Sequence, residues 1–206
     1  MTQEDHWLTY AIELQALAQS GLAYTKNPFE RERYERIREI AAEMVSRYGE
    51  ISLDKVEKLF CNETGYQTPK LDTRAAIFKD GKILLVQENS GLWSLPGGWL
   101  DVDLSVRENT IKEVKEEAGL DVTCEYLIAL HDRNKRNQPP YAYGICKVFV
   151  ACQALGGSFQ ENSETQAAAY FACEDLPELD PAKNTKEQVA MCFEANAAET
   201  WEPIFD

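Results

Sequence analysis

The stretch from Leu95 to Leu120 decides the fold, and it reads LPGGWLDVDLSVRENTIKEVKEEAGL. Pro96 and the two glycines after it end an extended run and free the backbone. Ser105 and Glu108 have the spacing of a capping box, which predicts that a helix begins immediately after Ser105. Gly119 is the residue type that ends a helix in the left-handed conformation. The stretch is therefore predicted to form a loop, one amphipathic helix and a second loop.

The predicted helix carries three carboxylates beside an apolar stripe. At 100° per residue, the stripe consists of Val106, Thr110, Ile111, Val114 and Ala118. Glu113, Glu116 and Glu117 flank this stripe, whereas Lys112 and Lys115 are predicted to point away from it. Carboxylates this close repel one another unless a cation neutralises them, and oxygen ligands of this kind suit Mg²⁺ or Mn²⁺. The pattern favours a metal site, and the alternative is an ordinary solvated acidic face.

The same stretch resembles the sequence signature of the Nudix hydrolases, G-x5-E-x7-R-E-U-x-E-E-x-G-U, in which U is aliphatic. The match begins at Gly98, ends at Leu120 and includes the complete E-x-x-E-E core. Two positions differ, because Leu104 stands where the first glutamate is expected and Lys112 replaces the arginine. That arginine orients carboxylates in the family, and a lysine keeps the charge without the bidentate fork. The complete core indicates a competent metal site.

The resemblance implies a fold, an activity and a set of site residues. The implied fold is α+β, an α/β/α sandwich with a mixed sheet. The implied activity is hydrolysis of the pyrophosphate bond of a nucleotide substrate, an X-linked nucleoside diphosphate, to a nucleoside monophosphate and a phosphorylated partner. The catalytic metal, Mg²⁺ or Mn²⁺, would be held by Glu113, Glu116 and Glu117. The backbone of Gly97 and Gly98 can approach the metal and the phosphates closely.

Other candidate site residues lie outside the signature. Glu164 is the candidate general base and Glu161 is the neighbouring choice, and both are equally consistent with surface acids on a loop. The candidate phosphate contacts are basic side chains within an acidic domain, namely Arg74, Arg133, Lys135 and Arg136. A solvated surface position is the alternative for each of these four side chains.

The chain is predicted to contain two domains. Residues 1–66 show helical periodicity, and residues 67–206 alternate between strand and helix patterns. In the first domain, helices are expected over 7–17, after Asn27 and after Ser52. In the second domain, strands are expected over 74–78, 83–86, 124–130, 144–152 and 168–171, and a last helix over 185–195. The Asp80-Gly81 pair predicts a hairpin between the first two strands.

The helical segment indicates a subfamily and an assembly. It is similar to the helical extension of Nudix hydrolases of X-linked nucleoside diphosphates, described as ADP-ribose or CDP-choline pyrophosphatases. The helix after Asn27 carries an apolar stripe made of Tyr34, Ile37, Ala41, Met44 and Tyr48. Two short neighbouring helices cannot cover so wide a stripe alone, which favours a symmetric homodimer. A purely intramolecular three-helix cap is the alternative.

Charge and composition exclude several classes of function. The formal net charge is −14, from 21 basic and 35 acidic side chains, which argues against nucleic-acid binding as the main role. No apolar run is long enough to cross a membrane, and the acidic beginning differs from a secretory signal, so a cytoplasmic location is predicted. The six cysteines lack zinc-ligand spacing and are expected to be free thiols. A non-catalytic nucleotide-sensing module is the alternative function, and the complete glutamate core favours the enzyme.

Overall fold

The computed structural model describes residues 6–49, 52–60 and 64–206, which fall into two units. The smaller unit contains the described residues up to Pro69, together with Tyr141–Gly144. The larger unit contains Lys70–Pro140 and Ile145–Asp206. The α+β class with a preceding helical segment is confirmed. Among the described residues, no helix combines the length and the apolar character that crossing a membrane requires.

The smaller unit is helical, with α1 (His6–Tyr24), α2 (Pro28–Gly49) and α3 (Leu53–Phe60). Asn27 caps α2 as predicted, because its Oδ1 accepts a hydrogen bond from the Phe29 N–H at 2.9 Å. The prediction of a first helix over 7–17 is too short, since α1 continues to Tyr24. Gly21 lies inside this extension, where an added Cβ would lie 2.5 Å from the Tyr34 ring. A glycine is therefore retained in the helix because α2 packs closely against it.

A small apolar core joins the three helices of the smaller unit. Its buried members are Ala11, Ala41, Ala42, Val45 and Val56. Part of the predicted stripe on α2 is thus used inside this unit, through Ala41, and Met44 packs against the same core. Tyr48 is exposed and its ring centroid lies 5.4 Å from that of Trp7.

The larger unit contains a seven-stranded mixed sheet. Its strands are β1 (Lys70–Lys79), β2 (Lys82–Glu88), β3 (Trp93–Ser94), β4 (Leu120–Asp132), β5 (Ile145–Gly157), β6 (Thr165–Phe171) and β7 (Ile204–Phe205). Its helices are α4 (Val106–Ala118), α5 (Arg133–Arg136) and α6 (Lys186–Ala197), with a 3₁₀ turn at Cys173–Asp175. The strand order is β3-β2-β1-β5-β4-β7, and β6 pairs with β2. β1 runs parallel to β5, whereas the predicted Asp80-Gly81 hairpin joins β1 to β2 antiparallel.

The sheet lies between two helices. Successive residues of β1 point to opposite faces of the sheet and pack in two different cores. Ala75 and Ile77 belong to the core that includes Val114 of α4. Ala76 belongs to the opposite core, which includes Val189 of α6. The implied sandwich is therefore confirmed, with α4 on one face of the sheet and α6 on the other.

The strand predictions are partly short. β1 begins at Lys70 rather than Arg74, because the polar residues at its start pair with β5 from the Lys70↔Ile145 register onward. The two-residue strands β3 and β7 carry no alternating pattern that a sequence could show. Among the cysteines that the structure describes, the free thiols are Cys124, Cys146, Cys152, Cys173 and Cys192, and Cys61 lies outside the described residues.

Candidate active site

Local signals set both ends of α4. The Ser105 Oγ accepts from the Glu108 N–H at 3.3 Å, and Glu108 Oε2 accepts from the Ser105 N–H at 2.9 Å, so the predicted capping box is present. Gly119 ends the helix at φ 69°, and a Cβ there would lie 2.3 Å from the Ser158 carbonyl oxygen. The helix is therefore fixed in length and in register, which sets the direction of each glutamate.

The segment 95–98, here called the glycine loop, lies directly against β1. The Thr73 N–H donates to the Gly98 carbonyl at 2.8 Å, and the Ala75 N–H donates to the Pro96 carbonyl at 2.9 Å. Gly97 has φ 144°, and a Cβ on this residue would lie 1.9 Å from the Thr73 carbonyl oxygen. No other residue type fits there without moving the strand.

Glu117 joins the helix to the glycine loop. Its Oε2 accepts a hydrogen bond from the Gly97 N–H at 2.8 Å, and its side chain is buried, with the residue 6% exposed. Burial raises the pKa of Glu117 to about 7, against the opposing positive charges of Arg74 and Lys183. The carboxyl group most deeply placed at the loop is therefore in an environment that disfavours an unneutralised negative charge.

Glu113 lies on the other glycine of the loop. A Cβ on Gly98 would lie 2.7 Å from Glu113 Oε2, so the carboxylate occupies the space that a side chain would take. Burial also raises the pKa of Glu113. The two glycines and these two glutamates thus form one compact assembly.

Lys112 does not point away from the carboxylates, and that prediction is wrong. Its Nζ lies 3.0 Å from Asp101 Oδ2, 3.3 Å from Glu113 Oε1 and 3.3 Å from Glu116 Oε2. Projection at 100° per residue follows the Cβ direction, whereas the four-carbon stem of lysine carries its ammonium back to the acidic side. The hydrogen bond to Asp101 raises the pKa of Lys112 further. Lys115 behaves as predicted and pairs with Asp121 at 2.8 Å.

The donor set of this assembly fits a hard divalent cation. Within the described ranges, no group of three or more His, Cys, Asp or Glu side chains is gathered closely enough to enclose an ion. The signature glutamates nevertheless offer only oxygen atoms, and burial raises the pKa of both Glu113 and Glu117. The Lys112 ammonium also contacts Glu113 and Glu116. A cation held by these glutamates would meet oxygen donors, which Mg²⁺ and Mn²⁺ prefer.

Arg74 lies beneath the glycine loop as a buried residue, 4% exposed. Its Nη2 and Nε bind the two oxygens of Asp72 at 2.7 and 3.2 Å, and its Nη1 donates to the Leu95 carbonyl at 3.2 Å. Lys147 also binds Asp72, and burial lowers the pKa of Lys147 to about 8. Arg74 thus binds Asp72 and the Leu95 carbonyl, and it supports the glycine loop through that carbonyl.

Asn184 holds the same loop from the other side. Its Oδ1 accepts a hydrogen bond from the Leu95 N–H at 2.9 Å, so Arg74 and Asn184 bind the two polar backbone groups of one residue. Asn109 has a similar role between helix and strand, since its Nδ2 donates to Thr73 Oγ1 at 2.9 Å and its Oδ1 accepts from the Asp101 N–H at 3.1 Å. Sequence reasoning missed these residues, because single amides carry no signal in the sequence.

The basic side chains after β4 differ in burial and in their contacts. Arg133 is buried and donates from Nη1 to the Pro139 carbonyl at 2.6 Å. Arg136 Nη2 pairs with Asp206 Oδ1 at 2.6 Å, and Lys135 is exposed. The structure does not bring these three side chains to the glycine loop through any of these contacts.

The loop that carries Glu161 and Glu164 is attached to the end of α4. Asn162 Nδ2 donates to the Glu116 carbonyl at 3.0 Å, and Thr165 Oγ1 donates to the Glu117 carbonyl at 2.9 Å. The Glu164 N–H is itself bound by Asn162 Oδ1 at 2.9 Å. Both glutamates are exposed, and Glu164 is next in sequence to the residue that binds the Glu117 carbonyl.

Two family models match the chain. One is described as a UDP-X-like, N-terminal oligomerisation domain and covers residues 5–60. The other is the NUDIX domain, which covers residues 69–191, more than half of the chain. The boundary between the two matches falls between the helical segment and β1.

Known proteins match over the same regions. The protein YjhB of Bacillus subtilis (strain 168), provisionally named an ADP-ribose pyrophosphatase, is 41% identical over 201 residues, 97% of each chain. A crystal structure of an ADP-ribose pyrophosphatase from Streptococcus suis 89-1591 is 59% identical and covers 68% of this chain and 100% of its own, with a TM-score of 0.64. A crystal structure of a UDP-X diphosphatase is 33% identical and covers 98% of this chain and 100% of its own, with a TM-score of 0.64. Because the NUDIX model covers more than half of the chain and a relative of 41% identity spans nearly all of it, the chain belongs to the Nudix family and is a Nudix pyrophosphohydrolase.

Proposed function

We propose that the chain hydrolyses the pyrophosphate bond of an X-linked nucleoside diphosphate, such as ADP-ribose or CDP-choline, in a reaction that depends on Mg²⁺. The products are a nucleoside monophosphate and a phosphorylated partner. The observation that carries this proposal is the 2.8 Å hydrogen bond from the Gly97 N–H to Glu117, which joins the acidic helix to the glycine loop. The names of the ADP-ribose pyrophosphatases to which the chain is similar support the substrate class.

The proposed site holds Mg²⁺, or Mn²⁺ in its place, through Glu113, Glu116 and Glu117. When bound, such an ion neutralises phosphate oxygens and lowers the pKa of a coordinated water. Gly97 and Gly98 allow the phosphates to approach the backbone, because neither carries a side chain.

Positioning within the proposed site comes from Lys112 and the loop after β5. Lys112 orients Glu113 and Glu116 in the role that an arginine has in the family signature, at 3.3 Å from each. Glu164 is the proposed general base and Glu161 its alternative, since their loop is bound to the carbonyl groups at the end of α4. Arg133, Lys135 and Arg136 are less suited to bind phosphate in this arrangement, because Arg133 and Arg136 already have protein partners.

A panel of nucleotides with and without Mg²⁺ tests the substrate class. ADP-ribose is expected to give AMP and ribose 5-phosphate, and CDP-choline to give CMP and phosphocholine, both only with the metal present. Nucleoside triphosphates are expected to be poor substrates. Chromatography of the products distinguishes cleavage between the two phosphates from release of pyrophosphate.

Two results of this panel would contradict the proposal. Rapid release of pyrophosphate from triphosphates would show that the subfamily inference is wrong although the signature helix is the site. Tight nucleotide binding without turnover, with Mg²⁺ and Mn²⁺ both tested, would favour the alternative of a nucleotide-sensing module.

The second part of the proposal concerns organisation and assembly. We propose a helical domain over residues 1–66 that pairs two chains into a homodimer, and a hydrolase domain over residues 67–206. The match of residues 5–60 to an oligomerisation domain supports this role. Large apolar side chains of the smaller unit are also exposed, among them Leu17 at 60% and Ile40 at 38%. We further propose a cytoplasmic location, where free thiols persist, and no nucleic-acid partner.

Charged substitutions in the helical unit test the homodimer. Leu17→Glu combined with Ile40→Glu is expected to convert a dimer into monomers at micromolar concentration, because each change would bury an unpaired carboxylate. Sedimentation velocity measures the state of assembly. Leu155→Glu is the matched control, since Leu155 is 69% exposed in the larger unit. A wild-type chain that sediments as a monomer would refute the homodimer.

A further inference from the structure

A second charged pair lies beside the glycine loop and has no place in the signature. Lys183 Nζ contacts Glu88 Oε1, with side-chain exposures of 29% and 24%. We propose that Lys183 binds a non-bridging oxygen of the substrate diphosphate and that Glu88 holds its ammonium in the absence of substrate. This inference rests on the proposed function, because it assigns a residue to the same site.

The turn that carries Lys183 is fixed to the sheet. The Asp180 N–H donates to the Trp93 carbonyl at 2.9 Å, and the N–H groups of Lys183 and Asn184 both donate to the Asp180 carbonyl at 3.0 Å. The Ala182 N–H also donates to Asp180 Oδ1, at 2.8 Å. The backbone of Lys183 is therefore bound to the turn, and its side chain is 29% exposed.

The same turn contacts the glycine loop through Asn184, the residue after Lys183. Asn184 Oδ1 accepts from the Leu95 N–H at 2.9 Å, and Gly97, two residues later, donates to Glu117. Lys183 is thus next in sequence to a residue that binds Leu95, and its partner Glu88 contacts Ser94, the residue before Leu95.

The other cations near the loop are more heavily engaged. Lys112 contacts three carboxylates. Arg74 and Lys147 are buried on Asp72. Lys183 contacts one carboxylate and is partly exposed, and Glu88 also accepts a hydrogen bond from Ser94 Oγ at 3.3 Å. Glu88 therefore keeps a partner when the ammonium leaves, and a lysine ammonium is a common phosphate ligand.

Substitutions of Lys183 and of Glu88 are expected to have opposite effects on kcat/KM. Lys183→Met is expected to lower kcat/KM for ADP-ribose and to weaken ADP binding, each by roughly 10- to 100-fold, which is the usual effect of losing a charge-assisted contact. Lys183→Arg is expected to recover most of the loss. Glu88→Gln is expected to raise kcat/KM and to tighten ADP binding, because it releases the ammonium for the substrate. Lys79→Met removes an exposed positive charge at the far end of β1 and controls for net charge.

Steady-state kinetics and calorimetric titration with ADP measure these effects, and thermal unfolding checks that each variant is folded. Two results would overturn the inference: a Lys183→Met variant that behaves like Lys79→Met, or a Glu88→Gln variant that loses as much as Lys183→Met, which would indicate a purely structural pair. A wild-type chain that cleaves ADP-ribose while Lys183→Met is unimpaired would overturn this inference alone. A wild-type chain that neither cleaves ADP-ribose nor binds ADP would overturn the proposed function with it.

Discussion

Glu117→Gln is expected to lower kcat by on the order of a thousandfold or more. The metal contributes several kcal/mol to lowering the activation barrier, and each loss of about 1.4 kcal/mol slows the reaction tenfold. The substitution removes the negative charge and keeps the shape of the side chain. A glutamine oxygen can still accept the hydrogen bond that Gly97 donates at 2.8 Å. Since burial already disfavours the charged form of Glu117, the free energy of unfolding should not fall.

Turnover of ADP-ribose over a titration of Mg²⁺ measures the loss, and chemical denaturation measures the stability. Glu116→Gln is expected to act in the same direction, because it also removes a charge from the proposed metal site. Glu116 is exposed. Glu108→Gln is the matched control on the same helix, because glutamine also completes a capping box. If Glu116→Gln and Glu117→Gln both kept near wild-type turnover, this helix would not be the catalytic centre.

Gly97→Ala is expected to abolish activity and to destabilise the larger unit. The added methyl group would lie 1.9 Å from the Thr73 carbonyl oxygen, so β1 or the loop has to move. The backbone at φ 144° is also a conformation that side chains rarely adopt. Together these effects predict a loss of at least about 3 kcal/mol in the free energy of unfolding.

Gly81→Ala separates the clash from the backbone conformation. Gly81 has φ 73° in the β1–β2 turn, and a Cβ there would meet nothing within 4 Å. It should therefore be destabilised by only about 1–2 kcal/mol and retain its activity. Denaturation of both variants in parallel is the measurement. Equal losses of stability for the two would show that close packing of Gly97 on β1 is not the constraint described above.

The ends of α4 were predictable because their signals are local. Ser105 and Glu108 are three residues apart, and Gly119 acts on the turn that precedes it, so a sequence shows them directly. The three glutamates follow from the same helix once its start is known. The prediction for Lys112 failed for the opposite reason, since its direction depends on Asp101 and on a flexible stem rather than on helical periodicity.

The support beneath the site was not predictable from the sequence, because it joins residues that lie far apart in the chain. Asp72 is bound by Arg74 and by Lys147, on neighbouring parallel strands. Burial alone would raise the pKa of Asp72, but these two cations outweigh it and lower the pKa. A sequence shows three charged residues and gives no sign that they share one buried position.

The clamp on Leu95 has a consequence for the thermodynamics of substrate binding. Arg74 holds its carbonyl group and Asn184 holds its N–H, and these residues come from β1 and from the turn before α6. The glycine loop, which begins at Leu95, is therefore fixed when the unit folds and not when the nucleotide binds. The entropy lost in fixing the loop is thus met by folding, and binding energy from the nucleotide remains for orienting the phosphates. Preorganised backbone of this kind also keeps the reorganisation energy of the reacting centre small.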